Sequence, residues 1–117
     1  MVCHLNDSFR VMTGEKAASD ATGLAQRTFL KWTALYLPVN WPPGIRTRPE
    51  IDQEVGGTRP DNFAADVAQL ESLLESITTP MRRFDAQTHP IFGRMSHTAW
   101  LRWGYLHADH HFRQFGT

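Results

Sequence analysis

Three histidines lie close together near the end of the sequence, at His107, His110 and His111. His107 and His111 are four residues apart, so on an α-helix their side chains lie one turn apart on the same face. Two imidazoles at this spacing can bind one divalent metal ion. Two inward histidines can also be an ordinary hydrogen-bonded part of a core. The spacing therefore indicates a metal site, with a pair of core histidines as the alternative.

The residues around these histidines predict a helix that is capped by Ser96 and ends at Gly116. One broad face of this helix repeats at intervals of four and three, and comprises Trp100, Gly104, His107, His111, Gln114 and Phe115. Its apolar members predict that the face points into the core and carries His107 and His111 with it. His110 lies about 100° round the helix, which predicts a neighbour of the site and not a ligand.

A catalytic metal site usually has a third protein ligand and keeps one position open. His4 is the best candidate, because it adjoins the apolar stripe of Leu5 and Phe9 on a predicted first helix. His89 precedes a proline in a loop, and His97 lies in the exposed first turn of the last helix. These two histidines are therefore weaker candidates than His4.

Four other polar or small residues lie near the candidate ligands. Gln114 follows His111 by three residues, and is either a hydrogen-bond partner of the site or an ordinary polar residue at a helix end. Asp7 and Ser8 lie within a turn of His4, and either of them can support it. Cys3 can ligate a metal chemically, but its side chain and that of His4 cannot easily face one centre. We expect Cys3 to be a small buried apolar residue.

Three further helices are predicted to position these residues, over residues 2–12, from 19 or 20 to 37, and over 61–77. The second is expected to bury the stripe Ala25, Phe29, Trp32 and Tyr36. The third is expected to bury Phe63, Val67, Leu70, Leu74 and Ile77. No segment alternates between polar and apolar residues, so the predicted fold class is all-α.

A long connection separates the second and third predicted helices. Residues 38–60 contain five prolines and three glycines, which disfavour both a helix and a central strand. Loops of this length are uncommon in compact domains and are often functional or disordered. Trp41, Ile45 and Ile51 supply apolar anchors, which favour an ordered, packed loop.

Composition limits the classes of function. The 117 residues include 12 basic and 12 acidic side chains, a balance that argues against nucleic-acid binding and attraction to anionic membranes. A single cysteine excludes an internal disulfide framework and suits the cytoplasm. No apolar run is long enough for a membrane span, and the start does not resemble a secretion signal. The expectation is one cytoplasmic domain over residues 1–117.

The ending of the chain resembles that of a known superfamily. The pattern His-x-x-His-His-x-x-Gln, formed by His107, His110, His111 and Gln114, is similar to the signature of the DinB/YfiT-like metalloenzymes. The longer string HPIFGRMSHTAWLRWGYLHADHHFRQFG resembles an uncharacterised branch that ends in HPxFG, then W, then HxxHHxxQFG. The start HLNDSFRVMTG looks like the segment that bears the first histidine of that superfamily. The segments RTRPEI and TRPDNF also resemble this branch.

The resemblance implies a DinB-like helical bundle of up-down-down-up order. It implies a divalent metal held by His4, His107 and His111. Three imidazole ligands favour zinc or nickel as this metal. Characterised relatives include S-transferases that use low-molecular-weight thiols, so a metal-dependent thiol S-transferase or a hydrolase is expected. Whether the chain is an enzyme stays open at this point.

One departure from the family pattern favours a different class of function. Members of the superfamily usually have a further helix before the first histidine, and this sequence begins three residues before His4. A bundle that lacks most of this helix would expose an apolar groove. A homodimer would cover such a groove. The alternative to an enzyme is therefore a metal-free helical module for dimerisation or interaction with partners.

Overall fold

The computed structural model describes residues 1–116 and is mostly helical. Its α-helices are α1 (Val2–Thr13), α2 (Lys31–Tyr36), α3 (Phe63–Ile77) and α4 (His97–Gln114). A π-helical segment, Gln26–Leu30, leads directly into α2, and a 3-10 turn, Pro49–Ile51, lies within the long connection. The predicted predominance of helix is confirmed. No helix among residues 1–116 is long and apolar enough to cross a membrane.

The expectation of a purely helical chain was wrong at one place. Strands β1 (Thr88–His89) and β2 (Gly93–Arg94) pair antiparallel, with His89 opposite Gly93. Strands of two residues are too short to show an alternation of polar and apolar residues, so the sequence pattern did not predict them. The turn between them needs the left-handed backbone of Gly93, which has a φ of 70°.

The core forms where α1 meets α3 and α4, while α2 packs on α4. The buried cluster comprises Leu5, Phe9, Met12, Leu35, Leu70, Leu73, Ile77, Phe84, Met95, Ala99, Trp100 and Trp103. Helices α1 and α4 approach closely at Gly104, where an added Cβ would lie 3.3 Å from Phe9 Cε1. A glycine at this position therefore lets the first and last helices approach each other, and with them the histidines that they carry.

The second helix differs most from its prediction. It begins later than residue 20, because the Asp20 carboxylate accepts a hydrogen bond from Thr22 N in a local turn instead of capping a helix. The stripe predicted to be buried is exposed, with Phe29 at 72% and Trp32 at 63% of their full accessibility. A π-turn advances by one residue more than an α-turn, which rotates the following side chains relative to the 3.6-residue pattern. Leu35 is the residue of α2 that reaches the core.

Helices α3 and α4 begin at side-chain caps. Asn62 accepts a hydrogen bond from Ala65 N at 3.0 Å, and Ser96, the predicted cap of α4, accepts one from Ala99 N at 3.1 Å. In α3, Leu70 and Ile77 are buried as predicted and Leu73 joins them, but Phe63 in the first turn is exposed. At the other end of α4, Gln114 and Phe115 are exposed, so the inward face ends at His111.

The long loop is fastened to α1 by the buried carboxylate of Asp7. Thr58 donates to this carboxylate through its backbone N at 2.6 Å and its hydroxyl at 2.7 Å, and Gln53 Nε2 donates at 3.1 Å. Lys16 Nζ lies 3.2 Å from it. Burial alone would raise the pKa of Asp7, but the hydrogen bonds from Thr58 and Lys16 lower it overall. The loop therefore has a fixed, charged anchor that its apolar residues did not indicate.

Candidate metal centre

The structure brings together the three histidines that the sequence suggested as ligands. The ring centroids are 5.2 Å apart for His4 and His107, 4.6 Å for His4 and His111, and 4.8 Å for His107 and His111. Each ring offers one nitrogen, and these ligand atoms lie within 4.8 Å of one another. Helix α1 supplies the first histidine and α4 supplies the pair one turn apart.

His4 is held in one orientation by the long loop. Its Nδ1 lies 2.8 Å from the carbonyl oxygen of Ile51, which can only accept a hydrogen bond, so Nδ1 carries the proton. The lone pair of neutral His4 is then on Nε2, the atom free to ligate. Metal-binding histidines are commonly oriented in this way by a backbone carbonyl. From the sequence, Ile51 was expected only to be an apolar anchor. The residue type does not indicate that its backbone carbonyl accepts a hydrogen bond from His4.

Burial favours the neutral form of all three imidazoles. Loss of solvation lowers the pKa of His107 well below its ordinary value, and the nearby His4 and His111 lower it further. Burial, with His4 as the next cause, lowers the pKa of His111 to about 4. Burial also lowers the pKa of His4, although the hydrogen bond to Ile51 opposes this. Neutral imidazoles have the lone pairs that a metal needs.

His107 lies at the centre of an aromatic surround. Its ring stacks on Trp103 with centroids 4.7 Å apart and planes inclined by 22°. Its Nε2 is buried and has no hydrogen-bonding partner. A buried polar atom without a partner is unusual in folded proteins and calls for an explanation. A metal ion between the three rings would provide one.

The donor set fits a small divalent ion. Zinc–nitrogen distances of about 2.1 Å in a tetrahedral site put ligand nitrogens roughly 3.4 Å apart. The histidine ligand atoms lie within 4.8 Å of one another, so side-chain rotations that move these nitrogens by about 1 Å would bring all three to bonding distance of one ion. Three imidazole nitrogens suit zinc and nickel better than magnesium or calcium, which prefer oxygen ligands.

The other histidines lie outside this set. His110 is adjacent to His111, with ring centroids 5.2 Å apart, and also meets Trp41 at 5.9 Å. His97 stacks on Phe84 at 5.6 Å. His89 is 3% exposed and contacts Trp100 and Trp103 of α4. Among residues 1–116, the group of potential ligands contains His107 and His111 of α4 and does not contain His110.

The four residues that the sequence placed near the candidate ligands differ in their burial and contacts. Gln114 is exposed, and its side-chain hydrogen bond with His111 counteracts in part the lowering of that residue's pKa. Asp7 is committed to the long loop and does not support His4. Ser8 is buried, and its hydroxyl has no partner. Cys3 is 3% exposed, as expected of a small apolar residue.

The three histidines border a cavity of about 580 Å³. Its walls come from α1, α4, the long loop, the end of α2 and the hairpin. Most of its lining is apolar and includes Trp41, Ile45, Phe92, Trp100 and Trp103. A concave, mainly apolar cavity with a few polar groups is typical of sites for small molecules. The arrangement combines potential ligands for a metal with space for an organic substrate beside them.

Comparison with known families gives one match. The model of a family described as "Protein of unknown function (DUF1569)" matches residues 8–117. The chain belongs to the DUF1569 family. Within this DUF1569 chain, the matched segment contains His107, His111 and Gln114, while His4 lies just before it. No curated protein and no solved structure gave a significant match.

Proposed function

We propose that this protein binds one divalent metal ion through His4, His107 and His111. The observation that supports the proposal most directly is the set of three neutral imidazoles, with ligand atoms within 4.8 Å of one another, at the edge of a large cavity. A structural pair of core histidines would be expected to satisfy its ring nitrogens with protein groups. His107 Nε2 has no such group.

A bound ion would supply Lewis-acid chemistry at the positions that the three histidines leave open. The residues of the chain would do the rest. The Ile51 carbonyl orients His4, the stacked indole of Trp103 fixes His107, and the apolar walls exclude water from the cavity.

The proposed reaction class comes from the resemblance to DinB-like proteins. We propose a metal-dependent transferase acting on a small thiol, or a hydrolase using the same ion, in a DinB-like bundle located in the cytoplasm. Zinc and nickel are the proposed metals, since their ligand preferences match three imidazoles. The cavity volume suits a substrate of ordinary metabolite size.

The metal proposal can be tested by titration calorimetry on protein purified without an affinity tag and dialysed against a chelator. Zinc and nickel are titrated separately into the wild type, His111→Ala and His110→Ala. We expect one equivalent bound by the wild type. We expect a loss of affinity in His111→Ala greater than the 10–100-fold that loss of a supporting hydrogen bond typically causes. His110→Ala, next to His111 but outside the set, is the matched control and should bind like the wild type.

Two outcomes would contradict the proposal. The first is the absence of stoichiometric binding of either metal by the folded wild type. The second is an equal loss of affinity in His111→Ala and His110→Ala, which would mean that metal binds to surface histidines and not within the set.

A second candidate function is favoured by the exposed face of the second helical segment. Phe29, Trp32 and Tyr36 are exposed, and Leu24, just before them, is 82% exposed. Monomeric proteins rarely expose apolar side chains in such a contiguous group. We propose as the alternative a helical interaction module, which would form a homodimer through this face.

Light scattering combined with size-exclusion chromatography separates the two functions. A dimer that Trp32→Glu converts to a monomer would support the interaction module. A wild-type monomer that binds no hydrophobic dye would refute it. The dimer and the metal site are independent, so the calorimetry above still decides the metal proposal.

A further inference from the structure

The charges around the cavity are all of one kind. Arg46 and Arg48 of the long loop line it, and no aspartate or glutamate among residues 1–116 does. The whole chain has equal numbers of acidic and basic side chains, so this bias is local. A cavity with cationic side chains and apolar walls favours negatively charged ligands.

Besides His107 Nε2, three polar groups in the lining have no hydrogen-bonding partner within the protein. Arg48 Nε, Ser8 Oγ and His89 Nε2 are buried without a hydrogen bond. The guanidinium of Arg48 is held at its other end, where Nη2 donates to Ser19 Oγ at 2.6 Å. Leaving a buried donor unpaired is energetically unfavourable. Three such groups around one cavity indicate a ligand that accepts hydrogen bonds from them.

His89 is fixed as a donor. Its Nδ1 lies 3.1 Å from Ile91 N and 3.0 Å from Phe92 N. Both backbone groups can only donate, so Nδ1 must accept and the ring proton must be on Nε2. The ring is clamped between Phe92, at 4.8 Å, and Trp103, at 4.9 Å. His89 therefore presents an N–H, and Arg48, whose guanidinium also interacts with the Glu50 carboxylate, supplies a second N–H from a positively charged group.

We infer that the cavity binds a molecule with an apolar body and an oxyanion head group, which accepts hydrogen bonds from Arg48, Ser8 and His89. This inference rests on the proposed function in one respect, since it assigns a substrate class to the cavity that the three histidines border. The aromatic side chains of the walls contact the apolar body. The oxyanion, a carboxylate or a phosphate, takes the place of the missing acceptors. Charge-assisted hydrogen bonds of this kind are about twice as strong as neutral ones.

The test compares matched ligands on metal-free, full-length protein. Titration calorimetry measures the binding of 4-phenylbutanoate, of its amide and of 3-phenylpropyl phosphate. The acid and the amide have the same apolar body and differ in charge. We expect the acid to bind at least about tenfold more tightly than the amide, since a hydrogen bond to a charged group is worth about 1.5–3 kcal/mol. Tighter binding of the phosphate than of the carboxylate would support the inference and assign a doubly charged head group.

Two variants and a control locate the head group. Arg48→Met should weaken binding of the acid about tenfold and leave that of the amide unchanged. Ser8→Ala, a smaller change on α1, should weaken the acid in the same direction, and it keeps the test decisive if Arg48→Met does not fold. Arg59→Met removes the same charge from an exposed arginine outside the lining, and should bind both ligands like the wild type.

The possible failures can be told apart. Equal binding of acid and amide, or no binding of any of the three ligands, overturns the oxyanion site. A wild type that binds neither zinc nor nickel but still prefers the acid refutes the metal proposal and leaves the oxyanion site standing. A wild type that binds zinc in the histidine set without preferring the acid leaves the metal proposal standing and refutes this inference.

Discussion

His89 should make the protein sensitive to mild acid, and the effect can be estimated from its surroundings. The imidazole is 3% exposed, and burial lowers its pKa from 6.5 to about 3. In the unfolded chain the same group titrates near 6.5. The unfolded state therefore binds more protons than the folded state between pH 6.5 and about 3. Stability from this residue is fully present above pH 6.5 and falls as the pH is lowered through this window.

The size of the effect follows from the two pKa values. Each pH unit inside the window costs about 1.4 kcal/mol. Between pH 7 and pH 5, a pKa of 6.5 in the unfolded state gives a loss of about 2 kcal/mol from His89 alone. His4, His107 and His111 also have lowered pKa values, so the wild type should lose more than this in total.

His89→Asn isolates the contribution of His89. The amide oxygen of asparagine can accept the hydrogen bonds that Ile91 N and Phe92 N donate to His89 Nδ1, but the amide does not titrate. Urea unfolding followed by tryptophan fluorescence, in a chelator, gives the free energy of unfolding at pH 7 and pH 5. The loss between these values should be about 2 kcal/mol smaller in His89→Asn than in the wild type.

A control separates titration from simple loss of packing. Met95→Ala removes a core side chain that is 5% exposed and should destabilise the fold by about 2–5 kcal/mol at both pH values. Its pH dependence should match that of the wild type. If His89→Asn kept the full pH dependence of the wild type, the prediction would be wrong, because the proton would then be taken up elsewhere.

Three further predictions concern stability. Asp7→Asn should lower the free energy of unfolding by about 3 kcal/mol, because the buried carboxylate accepts two hydrogen bonds from Thr58. Its control, Asp109→Asn, breaks a surface ion pair and should lower the free energy of unfolding by at most about 1 kcal/mol. Equal effects of the two variants in urea unfolding would contradict this prediction. Gly93→Ala should cost about 1–2 kcal/mol by the same assay, since its φ of 70° strains an L-residue, and an unchanged midpoint would be the contrary result. Zinc at 100 times its dissociation constant should stabilise the wild type by about 2.7 kcal/mol, which raises the melting temperature in calorimetry by roughly 10 °C. The rise should be far smaller in His111→Ala. An equal rise in the two proteins would contradict the proposed site.

The second helical segment shows where sequence periodicity misleads. Phe29, Trp32 and Tyr36 have the spacing of a buried stripe, yet they are exposed. Periodicity reports which residues share a face of a regular α-helix, but not which way that face points. The π-helical turn at Gln26–Leu30 changes the phase of the helix. Contacts with α4 then decide the orientation, since Leu35 O accepts a hydrogen bond from Arg102 and the guanidinium of Arg102 lies over the Tyr36 ring.

Local chemistry was sufficient for the last helix. Ser96 caps it, its apolar residues face the core, and the four-residue spacing places His107 and His111 together. These features depend on contacts within one or two turns of a helix, which a sequence encodes directly. The proximity of His107 and His111, with His110 on a neighbouring face of the helix, therefore follows from local helix geometry.

The position and orientation of His4 and the cavity beside it depend on contacts between segments that are distant in the chain. His4 reaches the pair because α1 and α4 pack closely at Gly104, and its ring is turned by the carbonyl of Ile51, which lies 47 residues away in the chain. The cavity exists because the long loop, fastened through Asp7, forms one of its walls. Contacts between distant segments depend on how whole surfaces fit together, and backbone carbonyls have no signature in residue type. For this reason local geometry on α4 is enough to bring His107 and His111 together, while the fold brings His4, which the sequence also suggested, to this pair and supplies its orientation and the space beside it.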